Sequence, residues 1–163
     1  MSSTDATVRR SPEEQIRLEV VVREIFEHRS RFNELLGLRV ESFSPESPRI
    51  AFDMRPELIG SYQHQRLHGG VIASVLDTIG GFAVTVTTAE KHAHETAEQI
   101  AERFGRFGTI DLRVDYLRQG IGRSFHAGAK VVRLGGRIAS VQMELKNDAG
   151  LLIATGSAVY VLS

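Results

Sequence analysis

The sequence predicts an α+β fold in which one antiparallel sheet of about six strands wraps around a long central helix. Three observations carry that expectation. The stretch "LHGGVIASVLDTIGGFAV", Leu67 to Val84, has hardly any polar face, because Val71, Ile72, Val75, Leu76, Ile79, Phe82 and Val84 point all round it. A helix of that kind has to be surrounded. Downstream, "TIDLRVDYL", "RSFHAGAKVVRL", "RIASVQMELKN" and "LLIATGSAVYVL" alternate apolar and polar residues, as half-buried strands do. Their separators, "RQGIG", "GG" and "DAG", are turns too short for parallel crossovers, so the last three runs form a meander.

The remaining elements follow in order. "MSSTDATVRR" is small, polar and aperiodic, and residues 1–10 read as a flexible tail before a single domain over 11–163. "SPEEQIRLEVVVREIFEH" starts a helix: Ser11 is the N-cap, Pro12 lies in the first turn and Glu14 completes a capping box. Its core side is read as Ile16, Val20, Ile25 and Phe26. "FNELLG" is a short helix stopped by Gly37. Residues 38–44 and 49–55 alternate around "SPESP" and form a hairpin, and "PELIGSYQHQR" is a polar loop. "EKHAHETAEQIAERFGRFG" is charged and helical, an insertion between the central helix and the third strand of the sheet.

At 163 residues, with 20 basic and 20 acidic side chains, the chain has no net charge to attract nucleic acid. It contains no cysteine, which excludes thiolate nucleophiles and Cys-type zinc sites. His64 and His68, and His92 and His94, lack a suitably spaced third ligand, so neither a metal nor a cofactor is expected. "RLGGR" lacks the Lys-Ser/Thr ending of a phosphate loop and reads as a hairpin. No apolar N-terminal run resembles a signal peptide; a cytoplasmic protein without membrane insertion is expected.

Asp77 lies in the middle of the most apolar segment, where an unpaired charge is costly. It either caps a backbone group or pairs with an arginine such as Arg113, or it is a reacting carboxylate. At the start of the same helix, Gly69 and Gly70 offer N–H groups without intrahelical acceptors, in a field that favours negative charge. The two features are about 12 Å apart along the axis, too far to act on one carbonyl. Two such helices, antiparallel across a two-fold axis, would bring Gly69 of one subunit to Asp77 of the other.

These residues resemble the hotdog-fold thioesterases. "LHGGVIASVLD" looks like that family's His-Gly-Gly followed by an acid on the central helix, and "GTIDLRVDYLRQG" looks like its third strand. "VVRLGGRIASVQMEL" and "GLLIATGSAVYVL" look like its closing strands. The closest likeness is to bacterial acyl-CoA thioesterases similar to the phenylacetate-pathway enzyme, with an extra helical insertion, here about residues 90–106. That subgroup implies medium- to long-chain acyl-CoA as substrate, and a homodimer with shared active sites, alone or within a tetramer.

Carried over by position, Asp77 matches the acid that attacks the thioester or activates water. Gly69 matches the backbone donor to the thioester carbonyl, Gly70 stands beside it, and His68 matches the histidine that opens the helix. Thr109 matches a hydroxyl that helps place the hydrolytic water. Several relatives have an amide six residues before the histidine, where this chain has Tyr62; the adjacent Gln63 takes that role. Arg118, Arg123 and Arg137 are the candidates for the CoA phosphates and Phe82 for substrate binding; Phe82, Val84 and the insertion's Phe104 and Phe107 are the residues considered for the depth of an acyl tunnel beside the central helix. A dehydratase or hydratase on the same fold, and a non-catalytic acyl-CoA sensor, are the rival readings. The single short N-terminal helix and balanced charge do not suit the DNA-binding segment such sensors carry.

Overall fold

In the computed structural model, which describes residues 8–162, α1 (Pro12–Glu24), a π-helical turn (Ile25–Arg29) and α2 (Arg31–Leu36) lead into β1 (Arg39–Ser42) and β2 (Arg49–Asp53). A small pair, β3 (Ile59–Ser61) and β4 (Arg66–Leu67), precedes the central helix α3 (Gly69–Lys91) and the short α4 (Ala97–Phe104). Four strands close the chain: β5 (Gly108–Tyr116), β6 (Ser124–Leu134), β7 (Ile138–Asn147) and β8 (Leu152–Val161). The main sheet is antiparallel with order β1-β2-β6-β7-β8-β5. The meander β6-β7-β8 is the expected one. β5 pairs only with β8, so its outer edge has no partner among the described residues.

The sheet packs one face against α3. Ala139, Val141, Met143 and Leu145 of β7 face inward while Gln142 and Glu144 face out, which is the period-two pattern of a half-buried strand. Val75, Leu76, Ile79, Phe82 and Val84 of α3 are completely buried. Each such side chain contributes about 1.5–3 kcal/mol from removal of apolar surface from water. α3 is long and apolar enough to cross a membrane, but here the sheet wraps its apolar face as the core of the fold.

Several local expectations need correction. α3 continues past Val84 to Lys91, because Thr85, Val86, Thr88 and Ala89 are still buried. The core side of α1 is Leu18 and Val22, continued by Phe26 in the π-helical turn, whereas Ile16 and Val20 are exposed. Residues spaced i, i+4, i+8 share a helix face, and the apolar residues of "VVV" fit more than one such face. The α1 capping box is half formed: Ser11 Oγ accepts from Glu14 N–H, but the Glu14 carboxylate instead accepts from Ala97 N–H at 2.7 Å and caps α4. α4 has its own box, Thr96 with Gln99. The polar loop before α3 contains the β3–β4 pair. Of the expected tail, residues 1–7 lie outside the described residues; Arg9 pairs with Glu90, and Arg10 bonds the carbonyls of Ala89, His92 and Glu95.

Candidate active site

The acid of the central helix lies in a cleft of about 340 Å³ between α3, β5, β8 and the insertion. Asp77 is half-buried and has no arginine partner among the described residues; Arg113, the structural alternative, pairs with Asp115 at 3.1 Å instead. Thr109 Oγ1 donates to Asp77 Oδ1 at 2.8 Å. A register shift in the β5–β8 pairing between Thr109 and Asp111 marks a bulge, the device that re-aims side chains at strand ends. Tyr160 of β8, nearly fully buried, donates its hydroxyl to the Asp77 carbonyl at 2.8 Å and lies 3.3 Å from Oδ1. Both side-chain contacts fall on Oδ1, which leaves Oδ2 without a protein donor among the described residues.

Burial, and next the Asp77 charge, push the Tyr160 hydroxyl well above the usual phenol range. It is therefore a permanently protonated donor at working pH. Its seat requires glycine at position 80, because a Cβ there would overlap the Tyr160 hydroxyl and lie 3.0 Å from its Cζ. Neither Tyr160 nor Tyr116 was singled out from the sequence. The available signal was a tyrosine at an inward strand position, since a buried phenol needs a partner for its hydroxyl.

At the start of α3 the expected glycines separate in role. His68 is the N-cap, and its Nδ1 accepts from Gly70 N–H at 2.9 Å. Gly69 N–H has no acceptor among the described residues and is the free donor of the pair. The Tyr116 hydroxyl, at the far end of β5, donates to the Gly69 carbonyl at 3.0 Å. β5 thus contacts α3 at both ends of the expected site, Thr109 at Asp77 and Tyr116 at Gly69.

Other expected residues lie elsewhere. Gln63 is exposed in the β3–β4 turn, donates only to Tyr62 at 3.3 Å, and does not line the cleft. Phe82 does not line this cleft: it is completely buried against Phe26 and Phe43, at ring separations of 5.2 and 5.5 Å. A helix position on the core side is filled by its neighbours before any ligand arrives. The aromatic side chains that do line the cleft include Phe104 and Phe107 of the insertion, with Phe26 and Phe32. Arg118 donates to the Leu152 carbonyl and Arg123 pairs with Asp148, while Arg137 makes no ion pair among the described residues.

His92, His94 and Glu95 come close enough to offer three ligand atoms within 4.8 Å of one another. Arg103 already binds both Glu95 carboxylate oxygens, and its charge opposes a cation there. A larger concavity, about 690 Å³, lies on the outer face of the sheet between Arg49, Arg113, Lys130 and Glu144, and holds none of the expected site residues.

The model of the family described as "Thioesterase superfamily" matches residues 64–154, from just before His68 into β8. The chain belongs to the thioesterase superfamily. It is 38% identical over 142 residues to the medium/long-chain acyl-CoA thioesterase YigI of Escherichia coli, covering 87% of this chain and 92% of that protein. A crystal structure from Shewanella oneidensis, of a protein related to the thioesterase superfamily, is 38% identical with a TM-score of 0.86, covering 94% of this chain and 100% of the other. A thioesterase family protein from Silicibacter pomeroyi shares the fold at 22% identity and a TM-score of 0.68, over 88% of this chain and 96% of the other. As a thioesterase superfamily member this chain is a thioester hydrolase of the hotdog fold, and its "HGG" and Asp77 both fall inside the matched segment.

Proposed function

We propose that this protein hydrolyses medium- to long-chain acyl-CoA thioesters to the free carboxylate and CoA, with Asp77 as general base. The observation that carries the reading is the Thr109–Asp77 contact on the wall of an aromatic-lined cleft, in a chain similar to an acyl-CoA thioesterase. Asp77 Oδ2 takes a proton from water, which Thr109 Oγ1 also holds as an acceptor. The water oxygen bonds to the thioester carbon, the C–S bond breaks, and the sulfur leaves as CoA thiol with the proton returned from Asp77. Charge developing on the carbonyl oxygen is met by Gly69 N–H, and a preorganised donor of this kind contributes about 2.7–4 kcal/mol.

Because Gly69 and Asp77 of one chain are about 12 Å apart, the donor comes from a second copy related by a two-fold axis. The unpaired edge of β5, with Ile110 and Tyr116 exposed, supports such an assembly. The arginines fit it as well. Arg137 adjoins Ile138, which is in register with Val161 and Gly108 at the Asp77 end of the sheet. Arg118 and Arg123 flank Gly120, whose carbonyl accepts from Leu67 N–H at the Gly69 end. The same two-fold would gather both sets around one CoA.

Release of free CoA, followed with a thiol reagent over a panel of acyl-CoAs, tests the proposal, and the cysteine-free chain adds no thiol of its own. Turnover of medium- and long-chain substrates, lost in Asp77→Asn, is expected. An acyl-CoA panel left entirely intact by folded protein would reject it.

A further inference from the structure

We infer that Gly81, one helical turn beyond Asp77 on α3, gauges the length of the acyl chain that the cleft admits, with Phe104 and Phe107 of the insertion as its aromatic wall. The inference rests on the thioesterase reading and concerns which thioesters are turned over. Asp77 is the one charged group in the cleft lining. The other polar groups are largely engaged: Asn33 Nδ2 donates to the Phe26 carbonyl, Thr78 Oγ1 donates to the Ser74 carbonyl, and Ser74 Oγ donates to the Gly70 carbonyl. Such a lining accepts an uncharged, apolar group, and a volume of about 340 Å³ lies within the range of small-molecule pockets.

Gly81 lies about 6 Å along the α3 axis from Asp77 and lines the same cleft. A Cβ built there would meet Tyr160 Cε1 at 3.8 Å, ordinary contact, and otherwise open space. The contrast with Gly80 is informative. Tyr160 compels glycine at 80, whereas nothing within the chain compels it at 81. Glycine in a helix interior is unfavourable relative to alanine, so its presence at 81 calls for a reason outside helix stability. That reason is the space a side chain would take from an acyl chain running along α3 past the insertion.

The test is kcat/KM for saturated acyl-CoAs from butanoyl to hexadecanoyl, on wild type, Gly81→Ala, Gly81→Leu and Phe107→Ala, with the oligomeric state of each measured by light scattering. Gly81→Leu is expected to keep short-chain turnover within about twofold and to lose about tenfold or more on long chains, the effect of displacing two or three methylenes. Gly81→Ala should lose long-chain turnover in the same direction by a smaller factor than Gly81→Leu, and Phe107→Ala should move the optimum to longer chains. An unchanged profile in Gly81→Leu, a uniform loss at every length, or dissociation of the oligomer overturns the inference; the last two would assign Gly81 to packing. Should Gly81→Leu not fold, Phe107→Ala decides: a longer optimum supports the inference and an unmoved one overturns it. If wild type releases CoA from no substrate, the thioesterase reading fails and this inference with it.

Discussion

Both side-chain contacts of Asp77 fall on one carboxylate oxygen, so its proposed role as a base and its structural contacts are separable. Asp77→Asn preserves an acceptor for Thr109 and removes the base. We expect folding to persist and kcat to fall by about 10²–10⁴, the usual contribution of a positioned general base. Single turnover in ¹⁸O-water distinguishes this from attack by the carboxylate itself: label incorporated into the Asp77 side chain would show an anhydride route in place of the proposed one. Gly69 offers a second clean change. It is the first residue of α3, and His68 before it has φ −63° and ψ 139°. Proline is accepted at the first helical position after a residue of that conformation; it removes the N–H and adds a ring whose Cβ would meet Tyr116 Cε1 at 3.4 Å, ordinary contact. Gly69→Pro should therefore fold and lose about 10²–10³ in kcat, as when one oxyanion donor is removed.

At the scale of elements, the insertion is tied to the end of α3 by a polar cluster. Arg10 bonds three carbonyls there, and Arg103 grips Glu95 beside His92. Arg10→Ala leaves those carbonyls without their cationic donor and is expected to destabilise the fold by about 1–3 kcal/mol, read as a lower urea midpoint. Burial, and next the Arg103 charge, hold His92 below the ordinary imidazole value. The unfolded chain therefore takes up the proton first as pH falls below about 6.5, and stability decreases until pH reaches the lower folded value. Urea midpoints of wild type and His92→Gln, compared at neutral and mildly acid pH, should show a smaller acid loss in the variant. Equal losses would place the acid sensitivity elsewhere.

At the scale of the whole molecule, the proposed sharing of the site between two subunits makes a quantitative prediction. On that proposal, Asp77→Asn and Gly69→Pro homodimers would each be inactive at both sites. Random exchange of subunits makes half of the dimers mixed, and each mixed dimer has one site with both groups intact. Mixing the two variants should restore about a quarter of wild-type activity. No recovery after demonstrated exchange would confine the site to one subunit.

What the sequence determined by itself is local in period or in spacing. The uninterrupted apolar character of α3 shows that it is surrounded, and alternation with short turns yields β6-β7-β8 as a meander, because side-chain direction follows backbone periodicity. The "HGG" motif, Asp77 and Thr109 were legible through likeness to a family. Tertiary structure decided the contacts between distant residues: Thr109 reaches Asp77 across 32 positions through a bulge, and Tyr160 reaches it across 83. It also decided that Phe82 fills the core while Phe104 and Phe107 line the cleft, and that α1 turns Leu18 and Val22 inward rather than Ile16 and Val20. Periodicity states which residues share a face. Only the curvature of the sheet and the register of its strands decide what that face meets.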